Sequence, residues 1–166
     1  MNKINRKVEY ALIGLKHMRS KQPGELTTAK EICSLYGSPF DATSRVLQVL
    51  AQRGILRSEQ GAHGGYQLTK DLNRVSLYDV VEMITGPIGV AKCLHEDEGV
   101  GCDIRETCNI VSPVTNLNRR LADFYRSVMV AEILDSRVAG ARNSGVVGGT
   151  GVAGTAGAAG GFVHEQ

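Results

Sequence analysis

Net charge is nearly missing from this chain: 19 Lys and Arg stand against 17 Asp and Glu in 166 residues, a formal balance of +2. A polybasic coat that grips nucleic acid regardless of sequence is thereby excluded, while a local basic face is not. Catalytic signatures are missing too. No P-loop, no nucleotide-binding glycine fingerprint and no serine-, cysteine- or metal-based hydrolytic motif occurs, and the histidines at 17, 63, 95 and 164 form no ligand spacing. An enzyme is not expected. The first residues, MNKINRKVEYALIGLKHM, interleave charges among apolar positions and do not look like a signal peptide. The longest uncharged stretch, Asn143 to Val163, has the length of a membrane span, but eight of its 21 residues are glycine, which favours a flexible tail. The expectation is a soluble, cytoplasmic protein with no membrane partner. What is present is ample apolar material, 42% hydrophobic against 22% charged, which suits one domain with an appendage rather than wholesale disorder.

Charge divides the chain. Residues 1–85 carry 12 Lys/Arg against 8 Asp/Glu, residues 86–110 carry 2 against 5, and residues 111–166 carry 5 against 4. A basic N-terminal part thus adjoins an acidic loop that holds Cys93, Cys102 and Cys108.

The first part reads as short helices. Val8, Ala11, Leu12, Leu15 and Met18 follow helical spacing until Pro23-Gly24. Thr28-Ala-Lys-Glu31 is a capping box opening a helix with Ile32 and Leu35, which Gly37 closes. Ser38-Pro39 offers an N-cap and a first-turn proline for a third helix carrying Val46, Leu47, Val49 and Leu50 and ending at Gly54. This is a helix-turn-helix pattern, which a plain helical bundle would share. Ile55–Ser58 and Tyr66–Thr69 then read as two strands, joined by a loop whose glycines at 61, 64 and 65 allow positive φ. A hairpin directly after the third helix makes a winged helix. Ser76-Leu-Tyr-Asp79 caps a further helix through Val80, Val81 and Ile84 that stops at Gly86-Pro87.

Beyond the cysteines, Ser112-Pro113 repeats the N-cap and proline device. Val114, Leu117, Leu121, Phe124, Val128 and Ala131 follow in steps of three and four, the seam of a helix that packs along another long helix. The economical partner is the same helix of a second copy; docking on its own winged helix is the alternative. The expected fold is therefore mainly α with a small β-wing. A winged helix-turn-helix DNA-binding domain (1–85) leads to a cysteine-bearing loop (86–110), a long dimerisation helix (111–137) and a disordered Gly/Ala-rich tail (138–166).

A third helix of this kind brings its first turns to base edges in a major groove. Its candidates are Asp41, Thr43, Ser44, Arg45 and Gln48. Arg45 can bridge guanine O6 and N7, and Ser44 and Gln48 can bond either purine. An ordinary solvated helix face is the alternative for each. Arg57, Gln60 and His63, on or beside the wing, can touch phosphates or a minor groove; Lys3, Arg6 and Lys7 can touch phosphates. A dimer would hold two reading helices about 34 Å apart, which predicts a pseudo-palindromic site on double-stranded DNA.

Cys93-x8-Cys102-x5-Cys108 is not zinc-finger spacing, which pairs ligands two to four residues apart. Three thiolates at longer gaps suit an iron–sulfur cluster, whose sulfur ligands spread around several metal atoms. Gly99 and Gly101 would let the backbone wrap such a core. Three unliganded thiols, or zinc with His95 as fourth ligand, remain open. Cys33, beside Ile32 on an apolar face, reads as a small buried hydrophobe.

The wing Gly61-Ala-His-Gly-Gly-Tyr66-Gln-Leu, the three-cysteine loop and the long helix after it resemble the IscR/NsrR/RirA family of bacterial transcription regulators, over about residues 1–137. The resemblance implies a homodimeric DNA-binding regulator, in the form of a repressor, whose Cys93, Cys102 and Cys108 hold a 2Fe–2S or 4Fe–4S cluster. Such proteins sense iron, cluster supply, nitric oxide or redox state. The gap between the first two cysteines is longer here than in many relatives. IscR-like members also place a histidine three positions after the last cysteine, where this chain has Val111. In NsrR-like members an acidic residue near the start of the first helix completes the set from the other subunit. The matching position is Glu9, with His95 as its rival. Two other functions compete: a cluster-free or zinc-bearing thiol-redox DNA-binding regulator, and a small iron–sulfur carrier that would need no winged helix.

Overall fold

A computed structural model describes residues 4–61, 64–94 and 102–135. Helix α1 (Arg6–Arg19) starts where the Asn5 side chain accepts from Lys7 N, and it buries Val8, Ala11, Gly14, Leu15 and Met18 along one stripe. Helix α2 (Ala29–Tyr36) opens on the complete capping box of Thr28 and Glu31 and closes on Gly37 at φ 67°. Helix α3 (Phe40–Gln52) turns Val46, Leu47 and Leu50 into the core. Its start departs from expectation: Pro39 takes the N-cap place and no side chain caps it. The Ser38 hydroxyl is committed elsewhere, accepting from Thr43 Oγ1 at 2.9 Å and donating to Cys33 Sγ at 3.6 Å.

Strands β1 (Leu56–Glu59) and β2 (Gly65–Leu68) pair antiparallel, with Leu56 opposite Leu68 and Glu59 opposite Gly65. One feature escaped the sequence reading. Thr27 joins this hairpin, its N–H donating to Tyr66 O at 2.9 Å and its carbonyl accepting from Tyr66 N at 2.8 Å. The wing is therefore anchored to the segment that leads into α2. The glycines work differently from the expectation that all three supply positive φ. Gly61 alone of them does, at φ 117°, whereas a Cβ on Gly65 would stand 2.9 Å from the Thr27 carbonyl oxygen and one on Gly64 2.4 Å from that of Glu59. Gly64 and Gly65 are needed for close backbone approach.

Helix α4 (Leu77–Thr85) has the second capping box, Ser76 with Asp79, and ends at Gly86. Helix α5 begins one residue before the expected cap, at Val111, and ends at Ser127. The single helix expected over 111–137 is thus interrupted: Val128 is extended, and α6 (Val130–Asp135) follows. The break has a tertiary cause. Leu77 N donates to Val128 O and Val130 N to Val75 O, both at 2.8 Å, so residues 128–130 run antiparallel beside 75–77. Val130, Ala131 and Leu134 are then buried in the same core as α1 and α3. Arg19 secures the return, donating to Ala131 O at 3.2 Å and to Asp135 Oδ2 at 2.8 Å. Residues 137–166, which include the expected tail, lie outside the described residues. No helix among the described residues is long and apolar enough to cross a membrane.

Candidate DNA interface and cysteine loop

Helix α3 sorts its predicted contacts cleanly. Asp41, Arg45 and Gln48 are exposed and Ser44 is half-buried on one face, free to meet a groove. Thr43 is not. It is 0% exposed, and its hydroxyl is spent on Ser38, so the structure moves it from base contact to core. On the wing, Arg57 and Gln60 are exposed, Arg57 with only a 3.9 Å approach to Glu59. At α1, Lys7 is exposed, while Arg6 donates to Glu9 Oε2 at 2.7 Å. That hydrogen bond, and then the Glu9 charge, raise the Arg6 guanidinium above its usual value. Lys3, His63 and His95 lie outside the described residues.

Behind the reading helix, α1 and α2 are clamped by polar groups that sequence spacing did not reveal. His17 Nε2 lies 2.9 Å from Glu31 Oε1, and Nδ1 lies 3.0 Å from the Tyr36 hydroxyl. Lys21 Nζ adds an ion pair to Glu31 at 2.7 Å. Burial pushes the Glu31 carboxyl up, but hydrogen bonds from Lys21 and His17 outweigh it and leave the group below the ordinary carboxylate range.

The cysteine loop hangs between α4 and α5. Val90 N donates to Asn118 Oδ1 at 3.0 Å, which ties the chain just before Cys93 to the middle of α5. Arg126 of α5 stacks over the Tyr78 ring of α4 at 4.0 Å. Through these contacts α5 meets α4, and α4 packs in turn on α1 and α3. Cys93 sits in a 3-10 turn, Lys92–Leu94; Cys102 opens a turn in which its carbonyl accepts from Arg105 N at 2.9 Å; Cys108 precedes α5. All three, like Cys33, are free and half-buried. Cys33 is therefore less enclosed than the buried hydrophobe expected. A thiolate-held iron centre asks for reduced, reachable and convergent sulfurs. The donors meet the first two conditions. They do not meet the third, because among the described residues no three His, Cys, Asp or Glu side chains stand together as ligands for one ion.

A winged helix with a polar reading face, joined through a cysteine loop to a further helix, defines a DNA-binding transcription regulator. The chain belongs to the Rrf2 family, whose model, described as an iron-dependent transcriptional regulator, matches residues 4–136. An Rrf2-like HTH-type regulator of Rhodobacter capsulatus is 34% identical over 104 residues, 60% of this chain and 69% of its own. Among solved structures, the global cysteine regulator CymR of B. subtilis has a TM-score of 0.59 at 20% identity, covering 81% of this chain and 97% of its own. IscR of T. potens has a TM-score of 0.54 at 18% identity, covering 80% and 86%. These likenesses establish the winged-helix fold and the family.

Proposed function

We propose that this Rrf2 regulator acts as a cytoplasmic homodimer that represses transcription from a pseudo-palindromic site and answers to an iron–sulfur cluster on Cys93, Cys102 and Cys108. The observation that carries the reading is the set of three free, half-buried thiols in one loop of a chain whose family model is described as iron-dependent. Cys93, Cys102 and Cys108 would be the thiolates to hold a 2Fe–2S or 4Fe–4S cluster, and such a group, if bound, would supply a centre sensitive to iron supply, nitric oxide or oxidant. Glu9 is the proposed fourth ligand, donated across the dimer; to serve, its carboxylate has to leave Arg6. His95 is the alternative. The dimer reading is supported by Leu117 and Phe124, exposed at 57% and 59% on α5, an apolar surface that a second copy would cover.

This chain's own residues supply the route from loop to DNA. Asn118 fixes the start of the loop to α5, Arg126 and Tyr78 fix α5 to α4, and α4 carries α1 and α3 with it. A change in loop position therefore alters the spacing of two reading helices rather than the chemistry of one. A second reading has its own support. The three thiols are not gathered as ligands among the described residues, which favours a metal-free regulator that works by thiol oxidation, since zinc would need the same convergence as a cluster.

Anaerobic reconstitution with iron and sulfide separates the two. Visible charge-transfer bands are expected in the wild type, lost in Cys93→Ala, Cys102→Ala and Cys108→Ala, and altered in Glu9→Ala. A wild type that stays colourless and holds no stoichiometric metal supports the second reading. Bands unchanged in Glu9→Ala remove Glu9 from the ligand set and leave His95→Ala as the variant to alter them.

A further inference from the structure

Helix α3 presents one large apolar side chain among its polar ones. Phe40, its first residue, is 55% exposed. Steps of four place it in line with Ser44 and Gln48, whereas Thr43, Val46, Leu47 and Leu50 occupy the buried face. Leu35 and Tyr36, at the end of α2, are exposed at 61% and 50%, so apolar surface accumulates on both sides of the turn into α3. The core beneath is different in kind: Val8, Leu15, Ile32, Leu47 and Leu50 are each 0% exposed. The Phe40 ring therefore contributes little to that core, yet it stands at the end of the helix that enters the groove first.

In a major groove an aromatic ring has one apolar feature to meet, the C5-methyl group of thymine. We propose that Phe40 is a specificity-determining residue that selects a thymine in each half-site by packing on that methyl, beside the polar contacts of Ser44, Arg45 and Gln48. The inference rests on the DNA-reading role of α3 and deepens it. Cytosine at the same place offers no methyl and turns its N4 donor toward an apolar ring, leaving that donor without a partner. The exposed position on a helix start also means that shortening the side chain leaves the fold intact.

The test uses the full chain. Sites are selected from a random duplex library, and the wild type is compared with Phe40→Ala and Phe40→Leu, each first shown to melt with the wild type. The wild type is expected to select one thymine per half-site whose preference is lost in Phe40→Ala and largely kept in Phe40→Leu. Replacing that thymine by uracil, which removes only the methyl, should weaken the wild type about fourfold per half-site, the worth of one buried methyl group, and leave Phe40→Ala unaffected. An unchanged base preference in Phe40→Ala, or equal sensitivity of both proteins to uracil, overturns the proposal and leaves the ring to a protein partner. A wild type that selects no sequence at all overturns the reading role of α3, and this inference with it.

Discussion

Thr43 and Arg45 stand two positions apart on one helix and do opposite work. Thr43 falls in register with Val46, Leu47 and Leu50, steps of three, four and seven, so the helix turns its hydroxyl inward to Ser38. That periodicity is present in the sequence, but threonine also suits base edges, so residue type and register point in opposite directions at this position. Arg45 points to water, as its composition and position both indicated. The two variants should therefore separate stability from recognition. Thr43→Val leaves Ser38 short of a donor and should cost about 1 kcal/mol in urea unfolding, with sequence preference kept. Arg45→Ala should unfold with the wild type and lose about 1–3 kcal/mol of binding at one base position. A Thr43→Val protein with altered sequence preference would return that residue to the interface. The wing glycines teach a related lesson. Gly65 is legible as a turn residue, but the reason for it, a Thr27 carbonyl that leaves no room for a Cβ, depends on a segment far back in the chain.

Among elements, those specified by neighbouring residues were readable and those specified by distant ones were not. Both capping boxes, each a hydroxyl with an acid three positions on, form as the sequence indicates. The break at Val128 is invisible to periodicity, since Val128 and Ala131 prolong the seam of α5. Backbone pairing with residues 75–77 ends the helix there. The same holds for the clamp between α1 and α2, where Glu31 serves its own cap and also binds Lys21 and His17. With its folded pKa below the ordinary value, Glu31 adds stability that is present above about pH 4.3 and is lost as the pH falls through the folded value. The thermal midpoint should therefore drop on acidification, and less steeply in Glu31→Gln, which keeps the cap but not the charge. Identical pH profiles for the two proteins would show that the clamp does not contribute in this way.

At the scale of the whole molecule, charge arithmetic and motif order located the basic reading head and the acidic loop with its cysteines. Chain spacing carries no information on convergence: among the described residues Cys93, Cys102 and Cys108 do not stand together as ligands for one ion, and on the proposed reading it is the cluster itself and a second copy that would gather them. Leu117 and Phe124 on α5 and Ile110 before it, the last 55% exposed, mark where that copy would lie. Native mass spectrometry of the full chain, reconstituted and held without oxygen, tests this most directly. The expected species is an ion of two chains that carries added iron and sulfide, and that loses both in the Cys93→Ala, Cys102→Ala, Cys108→Ala triple variant. A single chain bearing neither iron nor sulfide under the same conditions would contradict it.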